Sequence, residues 1–374
     1  MSGSGSEKRK AHGGLAGGAS ADGTRRFANR FADSFAPDFY RSTANGLSAS
    51  SIGMGTYLGE CDDAEDNRYV EVLAAGISKG LNVLDVAINY RCQRSERAVG
   101  RALKKAIDSG SASRDELVVC TKGGYVPLES VSPESREAYE AYLEAEYFSR
   151  SIMSREDLVA GGHCLTPRFL ADQIERSRKN LGVERIDVFY LHNPEQQLDT
   201  LDRKQFASVM RAAFTELESQ VAAGRIGTYG CATWNGLRVF AASRNYLSLE
   251  ELLSAARDVA GEEHHLSALQ APVNLAMTEA IRSPTQGYAG RNVALLDLSR
   301  ELGVSMVASA SLMQAQLTRN LPAAVKSLFP SLHTDAQRAI AFVRSLPVVS
   351  ALVGMRSVAH LDENLEAGRA VIQS

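Results

Sequence analysis

The sequence predicts an α/β fold, a single (β/α)8 TIM barrel, and three observations carry that expectation. From about residue 50 onward, short apolar or β-branched runs alternate with longer stretches of helical period, the pattern of repeated βα units around a parallel sheet. The runs number eight, the count that closes such a sheet into a barrel. No obvious linker divides them, which argues against an open sheet with a second domain.

Residues 1–36, beginning MSGSGSEKRKAHGGLAGGASADG, are rich in Gly, Ser and Ala and show no apolar periodicity. They are expected to form a disordered tail, leaving residues 37–374 as the barrel. The tail has no apolar core of a secretory signal, and its Arg-bearing TRRFANRF is read as tail rather than as an organelle-targeting remnant. The strands are predicted at Ile52–Thr56, Asn82–Asp85, Val118–Thr121, Asp187–His192, Ile226–Cys231, Leu266–Ala271, Val304–Ser309 and Val349–Gly354. Helix ends are legible between them. Thr166 and Pro167 supply an N-cap and a first-turn proline, and Gly182 follows the last periodic residue, Leu181. Ser248 with Glu251, and Thr334 with Gln337, have capping-box spacing. One connection is long: residues 125–165 separate the third strand from its helix, where about 2–6 residues are usual. Its segment SPESREAYEAYLEAEYF reads as a short acidic helix, and the whole insertion is expected to act as a lid, because βα loops lie on the face where barrel sites are built.

Composition narrows the function. With 44% apolar and 23% charged residues and a net charge of −3, the chain is ordinary for a globular protein and has no basic footprint for nucleic acid or an anionic membrane. Apolar stretches such as residues 348–355 are far too short to span a bilayer. The five cysteines, Cys61, Cys92, Cys120, Cys164 and Cys231, form no C-x-x-C pair, so neither a disulfide framework nor a metal site is expected and a reducing cytoplasm fits best. Cys92 lies two residues after Tyr90 but is read as a small hydrophobe or surface residue. Oligomeric state is left open.

Groups at the carboxyl ends of barrel strands face one mouth. Asp85 follows the second strand, Lys122 the third, and His192 ends the fourth, while Tyr90 lies five residues beyond Asp85 in the same loop. That set has a chemical logic. A phenol with a pKa of about 10 is a poor acid at neutral pH unless a nearby ammonium stabilises its phenolate, and a carboxylate would hold that ammonium charged. An imidazole can polarise a carbonyl oxygen. The scheme contains no protein nucleophile, so electrons must come from a bound cofactor. A lyase using Lys122 as a Schiff-base nucleophile is the alternative, and Asp85 argues against it.

At these residues the sequence resembles the aldo-keto reductases. GMGTYLG (53–59), LDVAINY (84–90), CTKGGY (120–125), LGVERIDVFYLHNPE (181–195), LQAPVN (269–274) and GMRSVAHLDENL (354–365) follow in that family's order, from about Leu47 to Ala367. The resemblance implies a catalytic tetrad of Asp85, Tyr90, Lys122 and His192, hydride transfer with NADP(H), and a small-molecule carbonyl or alcohol substrate. It implies Thr56 and Tyr57 beside the nicotinamide ribose, Asp85 among the cofactor-binding residues, and Gln270 and Thr233 at the carboxamide. Ser309, Leu312 and Gln314 would lie along the cofactor, and Gly354, Arg356, His360, Glu363 and Asn364 would hold the adenosine end. A physical reading supports part of this: residues 354–357 lie between a strand end and a helix start, where backbone N–H groups attract phosphate, and an Arg there favours a 2′-phosphate. GMGTYLG is not G-x-G-x-x-G and no Walker-type loop is present, so neither a Rossmann domain nor a phosphoryl transferase is indicated. Two segments depart from the family pattern. Ala232 and Thr233 stand where a Ser-Asn pair is usual, and Ser309 where an aromatic ring stacks on nicotinamide. Trp234 either compensates or packs beneath its loop. These departures leave room for a cofactor-sensing subunit with little turnover.

Overall fold

In a computed structural model, which describes residues 14–371, eight parallel strands close into a barrel. They are β1 (Ile52–Gly55), β2 (Val83–Asp85), β3 (Val118–Gly123), β4 (Ile186–His192), β5 (Ile226–Ala232), β6 (Leu266–Pro272), β7 (Ser305–Ser309) and β8 (Ser350–Gly354). Each predicted strand falls on one of them. β8 closes on β1, with Ala351 opposite Ile52 and Gly354 opposite Gly55. The helices that follow the strands are α1 (Asp63–Ser78), α2 (Arg94–Asp108), α3 (Pro167–Leu181), α4 (Arg203–Ala222), α5 (Leu249–Ala260), α6 (Leu295–Glu301), α7 (Asp335–Arg344) and α8 (Val358–Arg369). Alternation along each strand divides the core in two. Val83, Val118, Val188, Tyr190, Ala268, Val307 and Leu352 fill the barrel interior, while a larger apolar layer lies between strands and helices.

The predicted helix ends are largely present. Gly182 ends α3 at φ 63°, a left-handed conformation that glycine adopts without steric cost. The Thr334–Gln337 box is reciprocal, and Ser248 accepts from Glu251 N. Thr166 occupies the N-cap of α3 without a side-chain cap bond; its hydroxyl instead meets Cys164 Sγ at 3.3 Å.

Two expectations are corrected. Residues 14–36 are not a tail. Leu15 pairs with Val183 in a parallel bridge, and Ala19 N donates to the buried Asp187 Oδ1 at 2.7 Å. The helix Ala21–Arg30 then runs from a Ser20 cap, burying Phe27 completely. The reason is a set of aromatic residues, Phe27, Phe31, Phe35 and Phe39, which pack into the main core despite the segment's low mean apolarity. Residues 1–13 of the predicted tail lie outside the described residues. The second correction concerns residues 125–165. The acidic helix is present at Arg136–Leu143, but the insertion collapses on itself and on α3, with Val126, Leu143, Tyr147, Met153, Cys164 and Phe169 forming a separate small core. Of residues 125–165 only Tyr125 lines the cavity at the barrel mouth, so the segment is a buttress rather than a lid.

No helix among the described residues is long and apolar enough to cross a membrane.

Candidate functional site

The strand order places the ends of β2, β3 and β4 side by side, which brings three of the predicted groups together. Lys122 Nζ donates to Asp85 Oδ1 at 2.5 Å and to Val86 O at 2.9 Å, and Gln270 Nε2 on β6 donates to Asp85 Oδ2 at 2.8 Å. Both carboxylate oxygens are therefore occupied in a buried setting, as a buried charge requires. Tyr90 sits in the turn after β2, with its N bonded to Ala87 O at 3.0 Å. Lys122 Nζ lies 5.1 Å from its ring centroid. The Tyr90 ring meets Tyr57 edge-on at 5.0 Å and His192 at 5.8 Å.

The electrostatics follow from burial against charge. Burial pushes the Tyr90 phenol above its ordinary value; the Lys122 ammonium opposes this and Asp85 adds to it. Burial also disfavours the Lys122 ammonium, but Asp85 and Tyr90 outweigh it and hold the lysine above its ordinary value. His192 is held well below the usual histidine range by burial, then by the charge of Lys122 and the proximity of His163, so its imidazole is neutral.

A supporting layer stands behind His192. His163 Nε2 donates to His192 O at 2.8 Å, and His163 Nδ1 accepts from Gln197 Nε2 at 2.7 Å. Burial lowers His163 to about 4. Tyr125 packs its ring edge-on to His192 at 5.0 Å; its hydroxyl donates to Gln196 and accepts from Asn193 Nδ2.

These groups open on a cavity of ≈ 890 Å³. Of the residues predicted from sequence, Asp85, Tyr90 and His192 line it, with Thr56, Tyr57, Thr233 and Gln270 around them and Ser309, Leu312, Gln314, Gly354, Arg356 and His360 along one side. Lys122 is buried beneath. Glu363 and Asn364 are not on the wall. Asn364 lies on the inward stripe of α8 with Leu361 and Leu365, and the Glu363 carbonyl accepts from Gln337. Thr233 Oγ1 and His192 Nδ1 are buried without a partner, and both residues face the cavity. Trp234 lines the rim with 48% of its surface exposed, so it does not pack beneath its loop.

Two carboxylates here were missed from sequence. Glu195 Oε1 accepts from the backbone N–H groups of Trp234, Asn235 and Gly236 at 2.9, 3.1 and 3.1 Å, which fixes the loop that carries Trp234. Glu65, in the first turn of α1, holds Arg356 through two bonds of 2.5 and 2.6 Å and Arg68 through one of 3.0 Å. The acidic run DDAED at the start of α1 was the available signal, but nothing in it specified a partner on β8–α8. Among the described residues, no group of three or more His, Cys, Asp or Glu is placed to hold a metal ion.

A family model described as the aldo/keto reductase family matches residues 51–249, more than half of the chain. Among curated relatives, D-threo-aldose 1-dehydrogenase from Pseudomonas sp. is 28% identical over 191 residues, covering 50% of this chain and 51% of the relative. Aldo-keto reductase YhdN from Bacillus subtilis (strain 168) is 23% identical over 160 residues, covering 42% of this chain and 38% of the relative. The chain thus spans about half the length, or less, of the curated relatives it matches. Solved structures agree in fold over almost the whole length. An aldo/keto reductase from Klebsiella pneumoniae in complex with NADP and acetate superposes with a TM-score of 0.59 at 20% identity, covering 90% of this chain and 91% of the other. The holo form of an aldo-keto reductase from Bacillus halodurans gives 0.59 at 16% identity, with 90% and 92% covered. By its matched sequence and its closed barrel, the chain belongs to the aldo/keto reductase family.

Proposed function

We propose that the chain is an NADP(H)-dependent oxidoreductase acting on a small carbonyl or alcohol, within one barrel domain. The observation that carries this reading is the buried Asp85–Lys122 ion pair beneath Tyr90, with a neutral His192 alongside, at a cavity roomy enough for a substrate and part of a dinucleotide. A nicotinamide cofactor held in this cavity would supply or take the hydride. Tyr90 gives its proton to the carbonyl oxygen, and the adjacent Lys122 ammonium stabilises the phenolate that remains. Asp85 keeps Lys122 charged and fixed, with Gln270 holding the far carboxylate oxygen. His192, being neutral, orients the oxygen by hydrogen bonding and leaves protonation to Tyr90. Alcohol oxidation uses the same groups in reverse.

The residues present fit the cofactor. Thr233 Oγ1 is a buried, unbonded hydroxyl facing the cavity, suited to the carboxamide beside Gln270. Arg68 and Arg356 bring cationic groups to the wall near the start of α8, suited to phosphate. The Klebsiella relative is bound to NADP, and the Pseudomonas relative is named for an aldose, which together support NADP(H) and a neutral hydroxylated substrate. A Schiff-base role for Lys122 is disfavoured, because the ion pair holds its ammonium charged. A reducing cytoplasmic setting belongs to the same reading, supported by five free cysteines.

The test is Tyr90→Phe. Turnover of a carbonyl panel, followed at the nicotinamide absorbance, is expected to fall by about 10³-fold or more, while NADPH affinity by fluorescence titration stays within a few-fold. Near wild-type turnover of the variant would exclude Tyr90 as proton donor. A wild-type chain that binds NADPH tightly yet reduces nothing would favour the cofactor-sensing alternative.

A further inference from the structure

Cys61 and Cys92 are far apart in sequence but their sulfurs lie 3.7 Å apart. Cys61 belongs to the β1–α1 loop, four residues beyond Tyr57, and Cys92 to the β2–α2 loop, two beyond Tyr90. The approach is built by Arg91, which precedes Cys92. Its Nε donates to Glu60 O at 2.8 Å and its Nη2 to Asp62 O at 3.4 Å, so the residues on both sides of Cys61 are tied to the neighbour of Cys92. Arg91 is anchored by the Asp66 carboxylate and lies over the Tyr69 ring at 5.2 Å. The backbone of Arg91, Cys92 and Gln93 is left-handed throughout, at φ 50°, 53° and 68°, an uncommon run that turns Cys92 toward the neighbouring loop.

We propose that Cys61 and Cys92 are a dithiol modification site, oxidised by hydroperoxides to a disulfide that staples the loops carrying Tyr57 and Tyr90. The sulfurs need to close by only about 1.7 Å to reach bonding distance. Cys61 is partly exposed and reacts first: its thiolate attacks the peroxide, giving a sulfenic acid and releasing an alcohol or water. The Cys92 thiol then displaces hydroxide from that sulfur, forming the S–S bond and releasing water. Two thiols lose two electrons and two protons, and the hydroperoxide is the two-electron oxidant. Burial and the Cys92 thiol raise the Cys61 thiol above its ordinary value, with Arg91 and Arg94 opposing them. Oxidation should therefore quicken as the pH rises above neutrality. Cys120, Cys164 and Cys231 are buried and have no neighbouring thiol among the described contacts.

The test uses the full chain, reduced and then treated with tert-butyl hydroperoxide, quenched and denatured. Thiol titration is expected to fall from five to three, the intact mass to drop by two hydrogens, and peptide mapping to join the Cys61 and Cys92 peptides, with dithiothreitol restoring all five. Cys120→Ser should still lose two thiols, whereas Cys61→Ser should lose none to disulfide within the chain. Retention of all five thiols, stepwise gain of oxygen on Cys61 with Cys92 left free, or a disulfide between two chains would overturn the proposal.

Discussion

Glu65 occupies the guanidinium that the 2′-phosphate would use, so replacing it by Gln should sharpen cofactor choice. In the structure Arg356 spends Nε and one terminal nitrogen on Glu65, and Arg68 adds a second arginine to the same carboxylate, so two cations and one anion leave a single net positive charge at this end of the cavity. A phosphate bound to the remaining edge of Arg356 would lie roughly 6 Å from the Glu65 carboxylate. At the dielectric of water, repulsion between one charge and a phosphate of about two amounts to about 1.4 kcal/mol, close to a factor of ten. Because the Glu65 side chain is only 1% exposed, solvent screens it less than this and the figure is a lower bound. Glu65→Gln is therefore expected to tighten NADPH by about tenfold or more. NADH has no 2′-phosphate and should change much less. Fluorescence titrations of both nucleotides at low and moderate salt read the effect directly, and the NADPH gain should shrink as salt rises. Equal shifts for the two nucleotides, or weaker NADPH binding, would refute the reasoning and return Glu65 to a purely structural role.

Other expectations follow from burial. Phe27→Ala empties a fully buried site against Phe31, whose ring lies 5.0 Å away, and should cost about 3–5 kcal/mol in urea unfolding; a loss below about 1 kcal/mol would mean that the N-terminal helix is dispensable. His163 is expected to make stability pH-dependent. Unfolded, it protonates near 6.5, whereas folded it does so only near about 4. The unfolded chain therefore holds more protons between those values, and stability falls as pH drops through that window, by about 3 kcal/mol for this group. His192, shifted down for the same reason, adds to the loss. His163→Gln, which still offers His192 O an N–H, should flatten the slope, and identical slopes for variant and wild type would exclude His163 as its source.

Barrel strands are legible in the sequence because their apolar runs are short, bounded and repeated, and strand-end residues are legible because a parallel barrel leaves them one place to point. That is why Asp85, Lys122 and His192 group together on their spacing alone, and why Tyr90 falls within their reach. The contacts between loops are not legible. Glu65 and Arg356 are 291 positions apart, and no local rule of capping or periodicity pairs them. The same holds for Glu195, whose three backbone bonds depend on how the β5–α5 loop happens to fold over it. The N-terminal helix is hidden for a different reason. It contributes one phenylalanine, Phe27, to a four-residue repeat that continues past its end through Phe31, Phe35 and Phe39, and the Gly- and Ala-rich stretch before it lowers the mean apolarity and masks the period.

The insertion at residues 125–165 and the loop after β7 exchange the roles that length alone suggested. A long βα loop is exposed to the mouth only if its apolar residues have nothing better to bury against; here they find one another and Phe169 of α3, and the segment turns away. The shorter run after Ser309 has no such core. Ala310, Met313, Gln314 and Ala315 all take left-handed backbone, at φ 53°, 47°, 52° and 67°, and residues 309–315 line the cavity in sequence. Backbone strain of that kind persists only where surrounding structure imposes it, and the run it holds along this wall contains no aromatic residue. Aromatic rings stand elsewhere on the rim, in Tyr57 and in Trp234 on the loop clamped by Glu195. If the chain holds NADP(H) as proposed, Trp234 would be steadied against the cofactor by the Glu195 clamp, which fixes its loop through three backbone N–H groups.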